Sequence, residues 1–421
     1  MRTESEHLVN KIIPLFAVLA SFVLSACAID NDTPRPTPEK TGTVVVPPAP
    51  TRPSEPSSPS ISVHRPIIEI GALKPRPKLQ LKRKDTLGKL WGGVNVAGNT
   101  DGFFVTWSHG ERLPTSARTL KLTGMPLAAT AFLPRSDAGA LPSVGLPDGG
   151  FLTQTFYWEG DAVHVGETQI AKDGGFVSSR MVLAHQQYSI MKLIDGVTFG
   201  AIASNSWDSS GTYGTIDFSR IAPKASKLQY RVSGKGYDGF GVTQFALSEG
   251  VPAFGVVRGH IDDRTKVVVA IGTSVEHMIE TALVDRPRSE LERKTHSSQS
   301  WVRGMVGTDD GYFVLWQDAS VMLTFVKRDG SLGFTYDATR FADIVGLDDV
   351  IVASTYDRTD ETAGISVFDH KLNQLGHLTL GRAEGSFWRI KLGQGGDGRT
   401  FGVTWQDRDT NDLRFAVVEY K

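Results

Sequence analysis

The stretch GNTDGFFVTW, Gly98 to Trp107, places the pair Asp101-Gly102 directly before an apolar, aromatic run. The arrangement returns as Asp148-Gly149, Asp195-Gly196, Asp238-Gly239, Asp310-Gly311 and Asp397-Gly398, with Asp349-Val350 in VGLDDVIVASTY filling the remaining gap. Seven units result, in steps of 47, 47, 43, 72, 39 and 48 residues. That period lies near that of four-stranded propeller blades and beyond the roughly 20–35 residues of leucine-rich, ankyrin or TPR units. The runs behind the pairs, among them FFVTW, GFLTQTFYW, YFVLWQD and RTFGVTWQD, are β-branched and aromatic and alternate. Asp-Gly between two such runs is a hairpin signal, because a type I′ turn needs positive φ and both residues tolerate it. The aspartates are therefore read as turns, not as chemistry presented in series.

Repeated small antiparallel sheets set in a ring leave few exposed edges. The expected fold is all-β, a seven-bladed β-propeller over residues 78–421. Six or eight blades stay open, because the 72-residue step has room for a degenerate blade. The last unit, ending LRFAVVEYK, has only two strands after Asp397-Gly398. Its missing outer strand is expected from the front of the body, where Lys78-Leu79-Gln80-Leu81-Lys82 alternates with strand period. The long step contains VEHMIETALVDRPRSELERKTHSS, Val275 to Ser298, charged and partly helical in pattern. It reads either as an insertion that carries binding or as a solvated excursion.

The composition narrows function. Lys+Arg 45 against Asp+Glu 46 gives a net charge of -1, which argues against a nucleic-acid binder, whose affinity rests on a basic surface. The single cysteine, Cys27, excludes an internal disulfide and makes a cysteine zinc site or a Cys-His catalytic pair untenable. It closes IIPLFAVLASFVLSAC, in which Ile12 to Leu24 gives 13 mostly apolar residues behind Arg2 and Lys11. Such a run is too short to span a bilayer and right for a signal-peptide core.

Leu24-Ser25-Ala26-Cys27 resembles the lipobox of bacterial lipoproteins. The resemblance implies removal of residues 1–26, acylation of Cys27 and anchoring in the bilayer. Ala28 after the cysteine implies the outer membrane. Residues 27–77 hold 12 of the 21 prolines, in phrases such as TPRPTPEK and VVPPAPTRPSEPSSPS, and read as an extended tether. Its fully extended reach is on the order of 150 Å. The tether ends in KPRPKLQLKRK, whose Lys78, Lys82, Arg83 and Lys84 either face anionic lipid or glycan or are solvated charge beside a strand.

If Asp-Gly joins the first and second strands of each blade, the turns between second and third strands gather on the opposite face. That face is repeatedly acidic: Glu111, Glu159 and Asp161, Asp208, Glu249, Asp318, Asp357 with Asp360 and Glu361, and Asp407, Asp409 and Asp412. It reads as a binding face for a basic segment or a cation, or as ordinary turn composition. In DRDTND, Asp407, Asp409 and Asn411 supply the first alternating oxygens of a calcium loop, without its later glycine and glutamate. No metal and no cofactor is expected. The two G-x-G-x-x-G matches, Gly234-Gly236-Gly239 and Gly393-Gly395-Gly398, open no helix and read as hairpins. SWDSSGTY, Ser206 to Tyr213, resembles the Asp-box of sialidase-type propellers with Gly211 one place late, a box that is structural in that family. Trp107, Trp158, Trp316 and Trp405 at strand ends read as packing between blades, or as sugar-stacking platforms.

The sequence thus predicts an envelope propeller acting as a non-catalytic binding or scaffolding module, with an envelope protein or glycan as partner. The alternative is a glycan-acting hydrolase or lyase, and the lining of the ring's centre separates the two.

Overall fold

The computed structural model describes residues 78–421 except 110–112, 135, 137–138, 161, 184–186, 209–210, 233–239, 259–263, 275–277, 296–299, 348 and 386–388. These residues form seven four-stranded antiparallel sheets. The first strand of the described residues is β1 (Leu79–Lys89). Blade one is β2 (Val94–Gly98), β3 (Gly102–Trp107), β4 (Ser116–Lys121) and β5 (Ala131–Phe132). Blade two is β6 (Gly139–Gly145), β7 (Phe151–Glu159), β8 (Ala162–Ile170) and β9 (Phe176–Val182). Blade three is β10 (Ile190–Ile194), β11 (Val197–Asp208), β12 (Gly211–Ala222) and β13 (Ser226–Val232). Blade four is β14 (Phe240–Ser248), β15 (Val251–Arg258), β16 (Arg264–Gly272) and β17 (Met278–Pro287), followed by the short helix α1 (Glu290–Thr295). Blade five is β18 (Trp301–Gly307), β19 (Gly311–Gln317), β20 (Val321–Lys327) and β21 (Leu332–Asp337). Blade six is β22 (Phe341–Leu347), β23 (Val350–Asp357), β24 (Thr362–Asp369) and β25 (Gln374–Arg382). Blade seven is β26 (Lys391–Gln394), β27 (Thr400–Gln406) and β28 (Asp412–Tyr420), with β1 as its fourth strand.

The ring closes as the two ends of the repeat predict. Strand β1 runs antiparallel along β28 from Leu79 opposite Tyr420 to Lys89 opposite Asp412. Lys78 and Lys421 extend the ladder, each N–H donating to the other's carbonyl at 3.1 Å. The first strands of neighbouring blades touch in turn around the ring, β26 meeting β2 to complete it.

Six of the seven pairs fall where a first-to-second strand turn was expected. Blade four departs. Its turn is Glu249-Gly250, between β14 and β15, with φ of 45° and 79°. Asp238-Gly239 precedes β14 and lies outside the described residues. Two acid-glycine pairs stand eleven residues apart there, and pairing selects the later one. The 72-residue step also resolves differently from the expectation, because much of Val275–Ser298 is β17, the outer strand of blade four.

The middle strands do not alternate as predicted. Strand β3 is buried at every position, and β27 likewise. Each blade is covered on both faces by its neighbours, so second strands such as β3, β23 and β27 are buried almost throughout, while outer strands such as β1 and β25 vary most in exposure. Trp107, Trp316 and Trp405 are buried in this interblade packing, at 1%, 7% and 0% exposure, which removes them as sugar platforms; Trp158 is half-buried.

The basic start of the body is largely consumed internally. Lys82 pairs with Glu419 at 2.6 Å, and Arg83 with Asp85 at 2.7 Å. The Lys84 ammonium donates to Leu380 O of blade six at 3.1 Å and lies 5.2 Å from the centre of the Trp405 ring.

Helix α1 is docked rather than solvated. Ser289 and Glu292 form a reciprocal cap: Ser289 N–H donates to Glu292 Oε2 at 2.7 Å and Glu292 N–H to Ser289 Oγ at 3.1 Å. The Glu292 carboxylate, with no exposed surface, accepts from Arg286 and from Thr265, while Arg286 also donates to Asp318 of blade five at 2.6 Å. The excursion clasps blade four to blade five. Among the described residues no helix is long and apolar enough to cross a membrane.

Candidate functional site

The innermost strand of each blade is short and mostly apolar, which makes its isolated charges conspicuous. Lys192 stands in IMKLI (β10), Arg303 in WVRGMVG (β18), Asp343 in FADIVGL (β22), and Lys391 opens KLGQ (β26). None of the four was singled out from the sequence. Register shifts on β18 between Val302 and Gly304, and on β22 between Phe341 and Asp343, place β-bulges at or beside two of them. A bulge re-aims the side chains around it.

Ring closure brings these residues together. The Lys192 Nζ donates to Met305 O of β18 at 3.0 Å, passing 5.7 Å from the centre of the Phe245 ring on β14. The side chain therefore reaches from blade three to blade five across the inner edge of blade four. Burial lowers its pKa to about 8, with the charge of Asp343 acting in the opposite direction.

Asp343 bridges to the other side. Its Oδ1 accepts from Ile344 N at 3.0 Å, and its Oδ2 from Leu392 N of blade seven at 3.4 Å. Burial raises its pKa, against the pull of Lys391, the Leu392 N–H and Lys192. Lys192 and Asp343 are enclosed by protein yet keep some solvent-reachable surface.

Arg303 is 8% exposed and donates to Phe341 O at 3.4 Å and to Gln317 Oε1. Burial lowers its pKa to about 10; Asp343 raises it and Arg358 lowers it. The inner ring thus sets three cations around one carboxylate. Arg303, Asp343 and Lys391 stand in the leading halves of their strands, toward the face that carries the turns between second and third strands.

The opposite end of the ring is tight. A Cβ at Gly98 would stand 1.9 Å from Gln394 O, and one at Gly307 1.6 Å from Leu247 O, so backbones of neighbouring blades meet there directly. Asn99 Nδ2 adds bonds to Gly149 O and Gly150 O at 2.7 and 2.8 Å.

The acidic face is distributed differently from the expectation. Glu249 belongs to the other rim, where it pairs with Arg328. Asp318 is engaged in the Arg286 clasp. Asp357 pairs with Arg340 at 3.0 Å, Glu361 with Arg382 at 3.6 Å and with Arg408, and Asp412 with Lys89 at 3.0 Å. Glu111, Asp161 and Cys27 lie outside the described residues, as does the side chain of Asp208 within the β11–β12 hairpin. Glu159 has only His164 nearby, at 3.9 Å, and no ion pair is formed by Asp360 among the described residues, but Asp318, Asp357, Glu361, Asp409 and Asp412 are each paired with a base.

In DRDTND the oxygens turn inward on the loop. Asp407 Oδ1 accepts from Asp409 N and Thr410 N at 3.0 and 3.1 Å, and its Oδ2 from Arg414 Nε at 3.1 Å. Burial works against ionisation of Asp407, but these donors hold its carboxyl below the usual range. Asp409 pairs with Arg382 at 2.9 Å, and Asn411 takes φ of 56° while its Oδ1 accepts from Gln406 at 3.4 Å. The three side chains point to separate partners. Among the described residues no group of three His, Cys, Asp or Glu is placed to hold a metal.

A cleft of about 420 Å³ lies on blade six, lined by Arg340, Asp357, Ser366 and His377 among others. Ser366 Oγ and His377 Nδ1 are 2.8 Å apart, but the two are register partners on β24 and β25, so the contact is a cross-strand pair.

No family model matches the chain, and no curated protein matches it. Solved structures resemble it at low identity. Hydrazine synthase of Kuenenia stuttgartiensis is 11% identical, with 84% of this chain and 99% of that chain covered and a TM-score of 0.46. The AfRom2 CNH domain is 11% identical, covering 81% and 98%, with a TM-score of 0.39. The α-L-arabinanase of Penicillium chrysogenum is 13% identical, covering 66% and 93%, with a TM-score of 0.39. These proteins differ from one another in activity, and likeness at this level carries no functional argument. The class defined here is the seven-bladed β-propeller.

Proposed function

We propose that the chain is a lipid-anchored propeller of the bacterial outer membrane, tethered through Cys27 and residues 28–77, that binds an envelope ligand without transforming it. The observation that carries this reading is where the chain enters the body. Lys78 pairs with Lys421 at the outer edge of blade seven, so a tether from Cys27 would join the propeller at its rim and not at the charged inner strands. The lipobox Leu24-Ser25-Ala26-Cys27 and the proline-rich stretch supply the anchor and the spacer.

Cys27→Ala tests the anchor. The variant, expressed with its signal segment and fractionated, is expected to move from the membrane pellet to the soluble fraction. Unchanged membrane association would end the anchored reading.

A glycan-acting enzyme is the second reading. It is favoured by the opposed shifts of Lys192 and Asp343, an amine made more neutral and a carboxyl made more protonated within one site. Against it, the inner cluster holds one carboxylate among the described residues where glycoside cleavage ordinarily takes two.

A further inference from the structure

Among the described residues, the inner strands of the seven blades carry three cations and one carboxylate. Lys192, Arg303 and Lys391 come from blades three, five and seven; the charge of Asp343 from blade six acts on Lys192 and Arg303, and that of Lys391 acts on Asp343. Among the described residues Asp343 makes no direct ion pair with any of them; its hydrogen bonds go to the Ile344 and Leu392 backbones. The cations are held apart around it rather than collapsed onto it.

Each cation is also fixed from behind or left with donors to give. Lys192 spends one N–H on Met305 O and has two more. Arg303 is braced by Phe341 O and Gln317. Lys391 is half-buried at the head of β26, where its backbone pairs with Thr404, and its ammonium makes no hydrogen bond among the described residues. Among the described residues of the inner strands cations outnumber carboxylates, and such an excess in a site of low dielectric is costly unless an anion completes it.

We propose that the inner ring is a binding site for a small dianion, a dicarboxylate or a phosphate monoester, gripped by Lys192, Arg303 and Lys391. Phosphate and carboxylate share the chemistry that these donors recognise. Asp343 limits the affinity by competing for the same cations, and it orients the ligand away from its own oxygens. The inference rests on the binding reading and names the ligand class of that site.

The test is titration calorimetry on the detergent-solubilised full chain at low salt, with inorganic phosphate in one arm and succinate in the other. Binding of at least one is expected, and the better of the two tells phosphate from dicarboxylate. Lys391→Gln should weaken it by about tenfold or more, since a charge-assisted hydrogen bond is lost. Asp343→Asn should tighten it several-fold, a gain that a merely damaged fold would not produce. Lys192→Met should weaken it as Lys391→Gln does.

Absence of binding for both anions up to about 10 mM would overturn the proposal, because so weak a site would lie below ordinary ligand affinities. Binding that Lys391→Gln and Asp343→Asn both leave unchanged would overturn it equally, since the anion would then sit elsewhere. The same titration on Cys27→Ala protein separates this inference from the anchor: loss of membrane association leaves the anion binding untouched, and the reverse.

Discussion

Arg286 donates from Nη1 to Oε2 of Glu292 at 2.8 Å, and that carboxylate has no exposed surface. The same guanidinium reaches Asp318 in the next blade, so one side chain holds two carboxylates and joins two sheets. Removing it strands a buried charge.

Arg286→Ala is therefore expected to destabilise the propeller by about 3–5 kcal/mol, the cost typical of breaking one side of a buried pair. Arg286→Lys should recover little, because an ammonium cannot reproduce the planar fork. Denaturant unfolding measures both. A loss under about 1 kcal/mol for the alanine variant, the range of exposed pairs, would show that the clasp contributes no interblade stability.

Lys192 should give the fold a characteristic alkaline response. Its folded pKa of about 8 lies below the ordinary 10.5, so between these values the unfolded chain binds more protons than the native one. Stability from this group then rises with pH across that window, and the penalty is fully present below about 8. Lys192→Met removes the penalty. The variant is expected to be more stable than the parent near neutral pH by roughly 1–3 kcal/mol, with the gap closing toward pH 10. Thermal unfolding of both proteins at the two pH values provides the comparison, and identical pH slopes would mean the ammonium is not desolvated.

The tight end of the ring predicts a contrast between two glycines. Gly307→Ala would set a Cβ 1.6 Å from Leu247 O, a backbone atom of the neighbouring blade that cannot move alone. A loss of roughly 2 kcal/mol or more is expected from such overpacking. Gly93→Ala meets nothing within 4 Å, and its φ is not in the left-handed region, so it should be close to neutral. Equal melting temperatures for the two variants would show that neighbouring blades are not in backbone contact there.

The tight turns at Asp195-Gly196 and Glu249-Gly250 show how local chemistry becomes legible. Both pairs take positive φ at both positions, which only a few residue types tolerate, so they can be marked before any tertiary contact is known. The same chemistry could not choose between Asp238-Gly239 and Glu249-Gly250, since the choice depends on which run pairs with which. The inner charges were overlooked for a related reason. Lys192, Arg303, Asp343 and Lys391 are each a lone charge in a short apolar strand, and the signal available was only that such a charge is expensive there.

By itself, the amino-acid sequence determined the period and the need for a front strand to complete the last blade, and it left six, seven or eight blades open until the sheets were seen. Those features follow from turn residues and strand composition, which act over a few residues. The tertiary structure alone decided that the acidic face is balanced by Arg340, Arg382, Arg408 and Lys89. It also decided that three distant cations share one carboxylate. Closing a ring juxtaposes strands roughly one repeat or more apart in the chain, and no local pattern encodes which charges will then face one another.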